Sequence, residues 1–393
     1  MRLVMIGDVG VVDDMVHIGD EAMFEAAADE LGARGASITA ISSAPAETSS
    51  RYGVDAVARI GFDGLDREAS ERRLAAVWEG GAGLASDDPA HGVIAAVEAA
   101  DGVVVAGGGN LASTWPLHVY ERAALGGIAA RLQKPLVVTG QTFGPHLVGR
   151  DSELVASLLR SARRVGVREH ASRLLAGRLG VDARLGVDDA SFIGTIETDA
   201  APAGVLVSLS LSLGGTQRED AVRQIATLVD AAADSVGGPV RFHAHYGPVA
   251  GSTPRGDALL HAEVREQLRA PSTVVPSTDA RASAAAIRSS ALLITGRYHP
   301  AVFAAPAGVP VLGLVTDEYT AVKQRGALGH WGQDTVVPLA SAGTLGVERL
   351  AGLRGARDEI RAEAARRLPA HRASAAAWWD EVAAATGGAW SRG

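Results

Sequence analysis

Short apolar runs, rich in β-branched residues and bounded by glycine, alternate along this chain with alanine-rich stretches of helical length. The first half carries such runs at 2–7 (RLVMIG), 37–42 (SITAIS), 102–108 (GVVVAGG), 135–141 (PLVVTGQ) and 164–169 (RVGVRE), with helical patterns at 19–32, 117–132 and 152–162. Strands that read as unbroken apolar runs belong to a parallel sheet covered by helices on both faces. The pattern pauses at 195–204 (TIETDAAPAG), a turn-forming stretch read as a linker. It restarts with VLVSLS from Val205, VRFHAHY from Val240, TVVP from Thr273, ALLITGR from Ala291 and VPVLGLV from Val309. The expected fold class is α/β, with two Rossmann-like doubly wound domains facing a cleft beyond the carboxyl ends of their strands. The expected domains are 1–198, 199–340 and a set of terminal helices at 341–393 that pack back on them. Two helical segments, 345–368 and 371–385, are expected in that last part, separated by Pro369, with Trp378 and Trp379 anchoring the second as core residues.

Composition narrows the class. At 393 residues the chain exceeds a single ordinary core, and 47% hydrophobic with 21% charged residues is a globular balance. Acidic side chains outnumber basic ones by 45 to 37, a net charge of -8, which argues against a surface that coats nucleic acid while allowing a local basic pocket. With no cysteine, the chain has no disulfide, no thiolate zinc site and no cysteine nucleophile, in keeping with the cytoplasm. LVMIG is cut short by Asp8, and no later stretch offers about 18 uninterrupted apolar residues, so neither a signal peptide nor a membrane span is expected. Any membrane contact would be peripheral.

The densest chemistry lies at 292–314, LLITGRYHPAVFAAPAGVPVLGL. In an extended chain residues two apart point the same way, so Arg297 and His299 share a face and Tyr298 takes the other. Pro300 suits the first position of a helix, which makes His299 the turn residue at an anion-favouring helix terminus. The alternative is that Arg297 pairs with a structural carboxylate and His299 is a capping histidine. Arg168, at the end of RVGVRE, is a second cation, or else a surface arginine paired with Glu169 or Asp189. Gly19, Asp20 and Glu21 open the first helix, where a carboxylate either caps the helix or takes a proton from a substrate hydroxyl. Gly107, Gly108, Gly109 and Asn110 form either a backbone nest for an anion or a close strand–helix contact. Gln141 and Thr142 lie at the end of a strand, where Thr142 contacts an acceptor or merely shapes the crevice. His243 and His245, two apart on a strand, lack a third ligand at metal spacing, so a structural or acceptor contact is favoured and no metal is expected.

Read in order, HIGDEAMF from His17, AGGGNL from Ala106, GQTFGP from Gly140, VREHASRLLAGRLG from Val167, DDASF from Asp188 and ITGRYHPAVFAAPAGVPVLGL from Ile294 resemble the polysaccharide pyruvyl transferase family. The resemblance implies a GT-B-like fold, phosphoenolpyruvate as donor and a sugar of a cell-surface glycan as acceptor. The product would be a cyclic pyruvate ketal, formed in the cytoplasm without a cofactor. It makes Arg168, in the VR motif, a donor-binding residue, and Lys323 similar to a functionally important family lysine, with Arg325 as the alternative. The family usually has Asn where this chain has His17, an aliphatic residue at Tyr298 and a small one at Pro300. Phosphoenolpyruvate carries two oxyanions, which Arg168 and Arg297 from separate halves would hold in a shared pocket, while His299 would protonate the methylene carbon. Two other readings share the architecture: a glycosyltransferase using a nucleotide sugar, and a non-catalytic glycan-binding protein. The acceptor's identity, its carrier and the oligomeric state are open.

Overall fold

The computed structural model describes residues 1–196, 201–249 and 253–387. They fall into two compact units. The first contains 1–12, 23–189 and the stretch from 373 onward, and the second contains 13–22 and 190–372.

The first unit is built on a parallel sheet of strands β1 (Arg2–Ile6), β2 (Ser37–Ser42), β3 (Asp55–Ala58), β4 (Gly102–Val105), β5 (Leu136–Phe143), β6 (Arg164–Val167) and β7 (Arg184–Leu185). Their order is β3-β2-β1-β4-β5-β6-β7, and the short strand Gly108–Leu111 pairs with β5. Residue alternation gives the sheet two apolar faces. Leu3 and Met5 of β1 join Phe24, Ala27 and Leu31 of the helix Ile18–Ala33, while Val4 and Ile6 enter the opposite core with Tyr120, Leu125 and Ile128. All eight residues of β5 are buried, as expected of a strand covered on both sides.

The second unit repeats the plan with β8 (Val205–Ser208), β9 (Val240–His243), β10 (Ser272–Val275), β11 (Leu292–Thr295), β12 (Val311–Val315) and β13 (Val336–Pro338), ordered β10-β9-β8-β11-β12-β13 and parallel throughout. In both units the first strand lies inside the sheet and growth reverses beside it. That reversal makes the crevice at the carboxyl ends where doubly wound sheets bind ligands. No helix of the described residues is long and apolar enough to cross a membrane.

Three sequence expectations are revised. The first change of unit falls at Val12, because Met15–His17 pairs antiparallel with Tyr246–Pro248 and ties 13–22 to the second unit. Three-residue strands joined across more than 200 positions leave no periodic signal. The next change falls at Asp189 rather than near residue 198. Buried Arg288 explains it, since its guanidinium donates to the carbonyls of Ile193 (2.5 Å), Thr195 (3.0 Å), Ser191 (3.2 Å) and Phe303 (3.1 Å), fastening 191–195 to the second unit. The centre of the expected linker, 197–200, lies outside the described residues. Finally, Pro369 does not separate two helices: it lies inside one helix, Arg357–Thr386, and the break falls at Ala356. Proline removes one backbone donor. The helix is held on either side of it, by Arg361 and Ala364 packed against Gly308 in the second unit and by Trp378 and Trp379 in the core of the first.

Trp378 is an anchor, as its sequence position suggests. Its indole N–H donates to Thr139 Oγ1 at 2.8 Å, its ring covers Gly166 and Arg184 lies 5.6 Å from the ring centre. Truncating such a side chain removes buried area and leaves a cavity. Trp378→Ala is expected to cost about 3 kcal/mol or more of unfolding free energy, read by denaturant titration; a loss below about 1 kcal/mol would show that the anchor is dispensable.

Candidate functional site

In the first unit β6 ends at Val167 and the next helix starts at His170, which puts Arg168 at the carboxyl end of the sheet. Its side chain is fully enclosed, so the surface-arginine alternative does not hold. Nη1 donates to Asp188 Oδ2 at 2.6 Å and Nε to Thr142 Oγ1 at 2.8 Å. The Thr142 hydroxyl in turn donates to Glu169 Oε2 at 3.0 Å. With its hydroxyl engaged on both sides, Thr142 orients Arg168 rather than contacting an acceptor. The sequence alternative paired it with Glu169 or Asp189: Glu169 lies 3.9 Å away, but the close partner is Asp188 rather than Asp189. Asp189 instead accepts from Thr139 Oγ1, 3.1 Å from Oδ2, and lies against Gly140 and Gly107. Gly140 has φ +56°, and a Cβ there would stand 2.2 Å from Asp189 Oδ2, so both backbone conformation and space demand glycine. Burial and the charge of Asp188 push the Asp189 carboxyl up to about 7.

The glycine run does not form an anion nest. Gly108–Leu111 is an extended strand on β5, and no residue of 107–110 has the left-handed φ that a nest uses. Its glycines permit close packing: a Cβ on Gly107 would meet Asp189 at 3.1 Å and one on Gly108 the Gln141 amide at 3.3 Å. Gln141 is buried and spends its amide N–H on the Ala106 carbonyl at 2.5 Å, which makes it another structural contact. Asn110 donates to Asp8, at the end of β1. Asp8 also meets Arg122 at 2.9 Å and His118 at 3.1 Å. Burial would raise its pKa, but Arg122, His118 and Arg59 outweigh that and hold the carboxyl well below the usual range. Sequence reasoning missed this cluster because its members come from four separate segments.

In the second unit the predicted alternation of Arg297, Tyr298 and His299 does not occur. Strand β11 ends at Thr295 and a short helix, Tyr298–Ala304, begins at once with Arg297 as its N-cap. His299 and Pro300 therefore lie inside the first turn, where a missing N–H is harmless. The Arg297 fork is held by the fully buried Asp257, which takes Nε at 2.8 Å and Nη2 more closely still. The structural-carboxylate alternative thus describes Arg297 as it stands. Buried His299 packs directly over Gly19, where a Cβ would come within 1.9 Å of its Nδ1. Tyr298 meets His299 edge-on, with ring centres 5.0 Å apart. Lys323 lies half-buried on the helix Glu318–Gly329, its Nζ 4.9 Å from the Tyr298 ring centre and 3.1 Å from the Tyr319 hydroxyl. Arg325, the alternative to Lys323, is exposed.

His17 and Asp20 add a pair beside Gly19, with His17 Nδ1 3.0 Å from Asp20 Oδ2. Burial opposes protonation of His17, yet the Asp20 carboxylate prevails and raises its pKa. Glu21, one residue on, is buried. His243 is a core histidine: its ring nitrogens meet the Val275 carbonyl at 3.2 Å and Ser283 Oγ at 2.9 Å, and burial lowers its pKa. That removes it as an acceptor contact. His245, also buried, is held well below its ordinary pKa by burial and then by His243, His299, Arg297 and His17. It is therefore a neutral imidazole beside those four groups, and HAH in the sequence gave no way to tell it from His243. Neither ring nitrogen of His245 has a hydrogen-bond partner among the described residues.

Each unit thus concentrates cations and titratable groups at the carboxyl ends of its own strands. The fold is widespread. A UDP-GlcNAc 2-epimerase from Neisseria meningitidis superposes with a TM-score of 0.59 at 10% identity, covering 97% of this chain and 99% of that one. The UDP-GlcNAc 2-epimerase of Methanocaldococcus jannaschii gives 0.55 at 11% identity, over 90% and 91% of the two chains. The glycosyltransferase SnogD from Streptomyces nogalater gives 0.50 at 18% identity, over 98% and 99%. At these identities the likeness establishes the fold alone, the two-domain Rossmann-like GT-B class. No curated protein matches the sequence. The family model described as polysaccharide pyruvyl transferase matches residues 17–318, and with that span of its 393 residues the chain belongs to the polysaccharide pyruvyl transferase family.

Proposed function

We propose that this transferase moves pyruvate from phosphoenolpyruvate onto two hydroxyls of one sugar in a cell-envelope glycan or its precursor, in the cytoplasm. The observation that carries the reading is Arg168, a fully enclosed guanidinium held at a strand's carboxyl end by Asp188 and Thr142, within the span the family model matches. Burying a charge this thoroughly is costly, and such sites are disproportionately functional. The reading assigns Arg168 to the donor's oxyanions, and gives Lys323, drawn alongside Tyr298, a role in transfer. Arg297 acts chiefly through Asp257 to fix the turn that carries His299.

A proton from His299 adds to the methylene carbon, and the enol carbon becomes oxocarbenium-like. One sugar oxygen bonds to that carbon and gives up its proton. The C–O bond to phosphate then breaks, phosphate leaves with the electron pair, and the second sugar oxygen closes the ketal as its proton is lost. Net, one phosphoenolpyruvate and one diol give one ketal and inorganic phosphate. No redox step or cofactor is needed. An imidazole suits the acid because its charge changes near working pH.

Incubation with phosphoenolpyruvate and a panel of disaccharide, nucleotide-linked and lipid-linked sugars is expected to release phosphate and add the pyruvyl mass to one acceptor. Consumption of a nucleotide sugar without phosphate release from phosphoenolpyruvate would support glycosyl transfer instead. His299→Gln is expected to fold and to lose about 100-fold or more in kcat, in line with loss of a general acid; full activity would remove the assignment. Gly19→Ala inserts a methyl where the imidazole sits, so it should lower turnover about as strongly as His299→Gln while leaving donor affinity within a few-fold. Wild-type kinetics in that variant would show that the His299 position over Gly19 is immaterial.

A further inference from the structure

Two acidic residues stand side by side near the donor arginine, and they are not equivalent. Asp188 accepts from Arg168 Nη1 at 2.6 Å. Among the described residues Asp189 pairs with no guanidinium or ammonium group, and its hydrogen bonds come from one neutral donor, the Thr139 hydroxyl, 3.1 Å from Oδ2 and 3.3 Å from Oδ1. That hydroxyl is itself fixed by the Trp378 indole N–H at 2.8 Å, so its proton is directed at Asp189. The carboxyl lies on bare backbone, with Gly140 and Gly107 leaving room for it. Around it stand Asp188 from its own loop, Arg168 beyond β6, Thr139 from β5 and Glu30 from the helix Ile18–Ala33. Glu169, 3.9 Å from Arg168, adds a further negative charge to the arginine's surroundings. If Asp189 were ionised too, it would add a third carboxylate to the surroundings of one guanidinium and oppose a dianionic donor further.

We propose that Asp189 is a positioning residue for the donor: it stands as an uncharged carboxylic acid beside the ion-paired Asp188, so that no third carboxylate opposes the oxyanions of phosphoenolpyruvate at Arg168. This rests on the pyruvyl-transfer reading for the identity of the ligand, though not for the state of the carboxyl. Burial and the Asp188 charge, which outweigh Thr139 and Arg168, push its pKa up to about 7. Ionisation above that pH adds a negative charge beside Arg168 and weakens donor binding. The sign for stability is the same. A carboxyl whose folded pKa lies above its unfolded value near 3.8 favours the fold at low pH, and that contribution is lost as pH rises towards about 7.

The test measures KM for phosphoenolpyruvate from pH 6 to 9 in the wild type and in Asp189→Asn, which mimics the protonated acid. Wild-type KM is expected to climb fivefold or more through about pH 7 with kcat moving less, whereas D189N holds a single KM across the range. A flat wild-type KM, or a D189N profile that still climbs, overturns the proposal. The carboxyl is also read without turnover, by carbon NMR titration of Asp189 in the wild-type chain. A midpoint near pH 7 supports the charge assignment even if phosphoenolpyruvate proves not to be a substrate, and a midpoint near 4 overturns it even if phosphoenolpyruvate is one.

Discussion

A buried guanidinium is the constraint around which the first unit's site is arranged. Arg168 keeps its proton and its side chain is enclosed, so the groups packed against it compensate one positive charge. Asp188 supplies the countercharge, Thr142 orients the fork, Glu169 steadies Thr142, and Ser172 both bonds Glu169 and accepts the backbone N–H of Phe143 at 2.7 Å. These groups come from β5, the end of β6, the following helix and the loop after β7. A parallel sheet brings them together because its strands all end on one side, and the residues just past those ends are neighbours whatever their separation in sequence.

The same constraint shapes the second unit differently. There the cation, Arg297, is matched by one fully buried carboxylate, Asp257, and the charge is spent on holding a turn. The groups left to titrate are imidazoles. Their environments drive them apart: His243 is locked in the core, His245 is kept neutral by burial and then by basic neighbours, and His17 is made more basic by Asp20. Pairs of like groups with divergent pKa values are how a site acquires distinct acids and bases.

Glycine decides the fine positions in both units. At Gly19 the backbone gives way to the His299 ring, and at Gly140 to the Asp189 carboxyl. Gly19 lies in HIGDEAMF and Gly140 opens GQTFGP, but neither segment shows which group its glycine makes room for. Each depends on the absence of a side chain opposite a polar group that lies elsewhere in the sequence.

The strand positions, the α/β class, the Trp378 anchor and the motif order that points to the family were all legible in the chain itself, because they rest on local periodicity and on short segments read in place. SITAIS became a strand over its predicted residues, and RVGVRE did end at an arginine beside a helix. What only the tertiary structure decided were the partners. Asp257 claims Arg297, Val275 and Ser283 claim His243, and Arg288 moves the unit boundary by holding 191–195. Pro369 failed to end a helix because packing on either side outweighed one lost hydrogen bond. Periodicity tells which face a residue takes on its own element. Whether a charge is free or already matched depends on residues tens to hundreds of positions away, which come close only when the sheets assemble.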